Sequence, residues 1–396
     1  MTWRGRGLIL LALLVLSYNL RPTATQIGPV LPNLQRDLTM GPVTSGILTS
    51  LPTLCFAVFG IVTPWLAARW GVHRTLLIGV STLCAGAIGR TLAQDAGTFL
   101  ALSTLALAGL AMGNILAPSI VRHHFPDKVG LVTALYSLML SIGVTAASAL
   151  TVPMATKLGG WRAAYLGSTS VAVLAMVPWI WIVLSSPDFR PHTTGGSRIA
   201  LSAVVRTPLG LAMMVFFGLQ SAQAYSVFGW LPTIYMAAGL SQGEAGWMLG
   251  VATGAGIPLA FLFPAWVGRH PRPIGLQVVV CLCGAAGYLG LIFAPSVMPW
   301  LWAVLIAIGT ASFPIVLALF GLKARSSAGT TALSALGQSG GYVIALLGPL
   351  LMGILHDQTG SWSASLAFMT TVNLVMGAVA IVAMTRPFIE DELGLA

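Results

Sequence analysis

The stretch Ser17-Tyr18-Asn19-Leu20-Arg21-Pro22-Thr23-Ala24-Thr25-Gln26-Ile27-Gly28-Pro29-Val30-Leu31-Pro32 lies inside the first long apolar segment, which begins at Leu8. An arginine within such a segment costs about 2.5–3.5 kcal/mol on insertion scales. The next residue, Pro22, has no backbone N–H, so it frees the carbonyl about one turn earlier, near Tyr18. Two more prolines follow, Pro29 and Pro32. A helix that only had to cross a bilayer would not need these residues. The reading of the chain turns on what Arg21 faces.

The segment is one of a series. The chain has 396 residues, 57% hydrophobic and only 7% charged, whereas soluble domains carry about 25% charged residues. Twelve apolar segments reach the roughly 20 residues that a helix needs to cross a bilayer. They fall at approximately 8–36, 42–69, 74–94, 97–122, 129–157, 161–186, 207–238, 243–268, 273–294, 298–322, 328–356 and 361–385. The expected fold is therefore an all-α integral membrane protein with 12 transmembrane helices. Arg4 and Arg6 before Leu8 to Leu16 outline a signal peptide, but no small-x-small cleavage site follows closely, so a retained first helix is expected.

The net charge of +10 would suit nucleic acid, but the charges sit in short loops between apolar segments, so no nucleic-acid partner is expected. With the N-terminus cytoplasmic, the inside positions are Arg4, Arg6, Arg69, Arg74, Arg122, Lys128, Arg190, Arg198, Arg206, Arg269, Arg272, Lys323, Arg325 and Arg386. Arg36, Arg90, Lys157 and Arg162 fall outside, and Arg21 belongs to neither side. This bias places both termini in the cytoplasm of a multi-pass protein of the plasma membrane. Trp65, Trp70, Trp161, Trp230, Trp247, Trp266 and Trp362 gather near segment ends and read as interfacial anchors. Cys55, Cys84, Cys281 and Cys283 lie in apolar segments without zinc spacing, so neither metal nor cofactor is expected.

The longest polar stretch, 187–206, falls near the middle. It reads as a cytoplasmic linker between a six-helix bundle over 1–186 and a second over 207–396, which ends in a short acidic tail. The halves repeat with an offset of 200: Pro32 meets Pro232, Thr53 meets Thr253, Pro64 meets Pro264, Arg69 meets Arg269 and Gly109 meets Gly309. Such pseudo-symmetry marks transporters built from parallel repeats.

The loop after the second segment reads Pro64-Trp65-Leu66-Ala67-Ala68-Arg69-Trp70-Gly71-Val72-His73-Arg74. It resembles the G-x-L-A-D-R-x-G-R-R loop of the major facilitator superfamily at Leu66, Ala67, Arg69 and Gly71. Pro64 stands where the family has Gly, and Ala68 where it has the Asp of a carboxylate clasp. A weaker copy surrounds Pro264, Arg269 and Arg272. In the first segment, Asn19-Leu20-Arg21-Pro22 followed by Gly28-Pro29-Val30-Leu31-Pro32 resembles the cyanate and 2-nitroimidazole transporter branch of that superfamily. The resemblance implies alternating access around a central site and gives conformational roles to Pro64, Arg69, Gly71, Arg74 and Arg269.

Arg21 lies roughly 20 Å along its helix, near the bilayer midplane or somewhat beyond it. All nine acidic residues lie in loops, at segment ends or in the tail, so Arg21 reads as the sole charge well inside a span. Two roles stay open together. It can tie the broken helix to freed carbonyls, or it can face a small anionic or polar solute, whose planar acceptors suit a guanidinium fork. Other polar residues at cavity depth are Tyr18, Asn19, Thr25, Asn114, Tyr136, Gln220, Gln223, Tyr225 and Gln338. They are candidate substrate contacts, each with an alternative role as an interhelix hydrogen bond.

No catalytic constellation and no phosphate-binding loop is present, so the chain is not expected to be an enzyme or an ATP-driven pump. The expected protein is a monomeric transporter, with the lipid bilayer and a small molecule as its partners. Protons enter only through a loop-end acid or the substrate's own proton. A drug-efflux protein of the same fold is the alternative, and a non-transporting membrane sensor a remote one.

Overall fold

The computed structural model describes residues 3–185, 188–189, 199–270 and 273–395. Arg190, His192 and Arg198, with half of the expected linker, lie outside these residues, as does Arg272. Among the described residues, twelve helices are long and apolar enough to cross a membrane: α1 (Arg6–Thr25), α2 (Pro42–Trp70), α3 (Val72–Leu92), α4 (Ala96–His124), α5 (Pro126–Leu158), α6 (Trp161–Ser185), α7 (Pro208–Ala237), α8 (Gln242–Arg269), α9 (Ile274–Phe293), α10 (Pro299–Leu322), α11 (Ala328–Thr359) and α12 (Trp362–Thr385). No strand occurs among the described residues.

The polar breaks supply the helix ends. Asp95, Thr207, Ser326 and Ser361 accept backbone N–H bonds at the starts of α4, α7, α11 and α12, the donors a helix cannot satisfy itself. Interruptions within spans follow proline. Regular helix stops at Asn19, Gly254, Thr310 and Ala345, three or four residues before Pro22, Pro258, Pro314 and Pro349. Each proline leaves the carbonyl one turn earlier without a donor. Pro52, Pro118 and Pro178 are carried inside unbroken helices.

Two compact units are present, residues 1–193 with 241–250, and residues 194–240 with 251–396. In the first, α1 packs on α5 and α6, α3 on α4 and α6, and α2 on α4. In the second, α7 packs on α11 and α12, α9 on α10 and α12, and α8 on α10. Each of these five pairings recurs six helices later, so the repeat extends from sequence to packing.

The tryptophan reading divides. Trp65, Trp70, Trp247 and Trp266 are exposed, as anchors are, but Trp161, Trp230 and Trp362 are buried. Trp230 donates to the Pro349 carbonyl at 2.9 Å and packs on Trp362. Their positions near span ends are right, but Trp161 and Trp230 use their indole N–H groups inside the fold.

Candidate functional site

The first helix is built in three pieces: Trp3–Asn19, a single turn Pro22–Thr25, and Ile27–Asp37. Pro22 opens the short turn, where its missing N–H costs nothing. The Arg21 carbonyl accepts from Ala24 N and Thr25 N at 3.0 and 3.2 Å. Polar backbone at such depth is tolerated only if other groups satisfy it. The Tyr18 carbonyl faces Gly143 on α5 so closely that a Cβ there would lie 2.0 Å from its oxygen. The Thr23 carbonyl accepts from Arg90 Nη1 at 3.1 Å. The Gln26 carbonyl accepts from the Tyr165 hydroxyl at 3.4 Å, and the Pro29 carbonyl from Gln242 Nε2 at 2.8 Å.

Arg90 amends the charge census. The sequence places it in an outside loop, yet its side chain is 0% exposed. It sits on a final 3-10 turn, Arg90–Leu92, that turns it inward. Its guanidinium lies 4.4 Å from the centre of the Tyr165 ring. Cation–π attraction and the Thr23 carbonyl dipole offset the desolvation. Arg21 is therefore not the sole charge within the fold.

Arg21 is half-buried and within electrostatic reach of the Tyr136 hydroxyl on α5. Tyr18, Tyr136 and Asn114 are half-buried as well. Asn114 follows Gly113, which packs against Leu20 at the break, and its amide donates to Leu110 at 3.1 Å. Asn19 and Thr25 are buried. The Asn19 amide bridges the carbonyls of Val15 and, on α6, Val171, and the Thr25 hydroxyl bonds to Arg21 O. Asn19 is thus occupied in joining α1 to α6, and Thr25 in bonding within its own turn.

In the second unit the candidates make separate contacts with neighbouring groups. Gln220 Nε2 donates to the Thr310 carbonyl at 3.3 Å, the group that Pro314 leaves free. Gln223 donates to the Met376 sulfur at 3.1 Å and accepts from the Tyr288 hydroxyl at 3.3 Å. Tyr225 is buried edge-on to Phe228. Gln338 is half-buried and donates to Ser334 Oγ at 2.7 Å. Of the loop-motif residues, Pro64, Arg69, Arg74 and Arg269 are exposed, and Gly71 is buried.

Sequence reasoning missed Arg90 and Gly143. A charge at a span end reads as a loop, and a lone glycine inside a helix carries no signal of what approaches it. Near α1, Asp37 is held below the usual carboxylate range by the Trp161 indole N–H at 3.0 Å, with Arg36 and Arg162 adding to it against burial.

A family model for the Major Facilitator Superfamily matches residues 8–341. The chain is 33% identical to "Uncharacterized transporter YycB" of Bacillus subtilis (strain 168), over 95% of this chain and 92% of that protein. It is 31% identical to the 2-nitroimidazole transporter of Escherichia coli (strain K12), over 94% of each chain. It is 28% identical to the cyanate transport protein CynX of the same organism, over 91% and 93%. Its fold matches a bacterial homolog of the human lysosomal transporter Spinster, solved inward-facing and occupied, with TM-score 0.78 at 16% identity over 99% of each chain. The matched model, the twelve spans and the helix pairing repeated in both units establish that the chain belongs to the Major Facilitator Superfamily, and that it is a membrane transporter rather than an enzyme.

Proposed function

We propose that this protein carries a small anionic or polar solute across the plasma membrane by alternating access, with Arg21 as the central substrate ligand. One observation carries the reading. The carbonyls of Thr23, Gln26 and Pro29 at the helix break take donors from Arg90, Tyr165 and Gln242, so these three carbonyls are held by groups other than Arg21. Arg21 is half-buried and within electrostatic reach of the half-buried Tyr136. Cyanate and 2-nitroimidazole, named for two relatives, both offer compact oxygen or nitrogen acceptors that a guanidinium recognises.

In this reading the bundles 1–186 and 207–396 rock about the site, both termini are cytoplasmic, and Tyr18, Asn114 and Tyr136 complete the substrate shell. Gln220 and Gln223, buried and bonded within the second unit, are the proposed contacts from that half. The test is uptake of labelled cyanate and labelled 2-nitroimidazole into proteoliposomes. Wild-type protein concentrates or equilibrates at least one of them faster than empty vesicles, and Arg21→Gln does not. Equal rates for wild type and empty vesicles with both solutes remove these as substrates, and equal rates for wild type and Arg21→Gln remove Arg21 as ligand.

A further inference from the structure

The loop between α2 and α3 lacks the carboxylate of its family motif, with Ala68 in its place. A carboxylate reaches this loop from elsewhere in the chain. Asp188, just beyond α6, accepts from the backbone N–H groups of His73 (2.8 Å), Arg74 (3.0 Å) and Phe189 (2.9 Å). The Phe189 carbonyl accepts from Val72 N at 2.9 Å. Val72, His73 and Arg74 are at the start of α3, where N–H groups have no partner inside the helix. Gly71 makes room for this clasp: its φ is +94°, and a Cβ would come within 2.3 Å of the Asp188 carboxylate.

Two buried imidazoles meet behind the clasp. His73 and His124 are 1% and 6% exposed, and their Nε2 atoms lie 2.9 Å apart. The ring planes lie 15° apart, with centres 5.1 Å from each other. Each element packed around them has a place in the electrostatics. The 188–189 segment brings the Asp188 carboxylate to 3.7 Å from His73 Nδ1. On α4, His123 lies edge-on to His124 with ring centres 4.7 Å apart and stacks on Phe189 at 3.7 Å. Arg6 on α1 acts on His124 electrostatically. Arg74 and Arg122, next to the pair in the chain, are exposed. Trp179 on α6 covers His73 with a ring that does not titrate.

We propose that His73 and His124 form a proton-binding site, distinct from the Arg21 site, that keeps the Asp188 clasp closed while the two rings share one N–H and opens it when both rings are charged. Two nitrogens 2.9 Å apart hold one hydrogen between them, with one ring donating and the other accepting through its lone pair. The neutral pair satisfies this. Uptake of one proton from water also satisfies it, because the new imidazolium donates to the neutral ring and carries its second N–H on Nδ1. Uptake of a second proton puts a hydrogen on both facing nitrogens and a charge on both rings. The hydrogen bond then has no acceptor, and the rings separate. Because the His73 amide is itself bonded to Asp188, that separation loosens the start of α3 from the segment leaving α6.

Hydrogen exchange of the full-length protein in lipid nanodiscs tests this without a transport substrate. Protection of the amides of Val72, His73 and Arg74, corrected for intrinsic exchange, is measured at about pH 7.5 and about pH 4, because a second charge on adjacent imidazoles is taken up only well below the ordinary histidine range. In wild type it falls at least about tenfold at the lower pH, as local opening predicts. In His124→Gln, which cannot form a doubly charged pair, it is unchanged. Asp188→Asn, with both imidazoles intact, loses protection at both values. Constant wild-type protection, an equal fall in His124→Gln, or full protection in Asp188→Asn at the higher pH overturns the proposal. The wild-type comparison stands even if a variant does not fold.

Discussion

Arg21 and Arg90 show how one residue type is set to two tasks by its surroundings. Arg90 is sealed between the Tyr165 ring and the Thr23 carbonyl, so it positions the break, whereas Arg21 is half-buried beside Tyr136. Arg90→Met should leave the Thr23 carbonyl without its donor. Thermal unfolding in detergent should then show a loss of about 1.5–3 kcal/mol, the worth of a hydrogen bond to a charged group. Glu390 gives a second test at this scale. Burial works to raise its pKa, but donors from the Ser326 hydroxyl and the backbone N–H groups of Arg325 and Ser326 outweigh it and hold the group at about 2, against an ordinary 4.5. Its contribution is full above about 4.5 and is lost as pH falls from there through about 2. Thermal melts of wild type should lose stability across that window more steeply than those of Glu390→Gln, which should be less stable at neutral pH.

At the scale of the element, prolines were legible and their partners were not. Pro22 by its chemistry alone announces a break, and the span limits follow from apolar length and polar punctuation. The sequence does not say which group meets each freed carbonyl, because that partner lies on another helix at a large chain separation. Gly143 against Tyr18 is one such partner, and Gln220 against Thr310 is another, read from sequence as a substrate contact. Gly143→Ala should force α5 away from the break and lower the melting temperature, because its Cβ meets backbone rather than a yielding side chain. Gly130→Ala on the same helix meets nothing within 4 Å and should leave stability unchanged or raise it by up to about 1 kcal/mol. Equal losses in the two variants would remove close approach as the reason for Gly143.

For the whole molecule, family and span count are written in composition, in the repeat offset and in the two resembling motifs, and the packing pairs repeat as the sequence does. The positive-inside bias further predicts sidedness. Cys55, Cys84 and Cys281 are buried, which limits background labelling. An impermeant maleimide should therefore reach Arg74→Cys only from the cytoplasmic face and Arg36→Cys only from the opposite one. What composition hid is the division of labour between polar residues, since a charge count cannot separate a guanidinium that holds a helix from one that holds a ligand. That division is measured most directly by isothermal titration of purified protein with whichever of cyanate or 2-nitroimidazole it transports. If Arg21 is the ligand, Arg21→Gln weakens binding by about 10- to 100-fold, the equivalent of one or two charge-assisted hydrogen bonds, while Arg21→Lys falls between the two and Arg90→Lys stays closer to wild type. Wild-type affinity in Arg21→Gln would contradict the account.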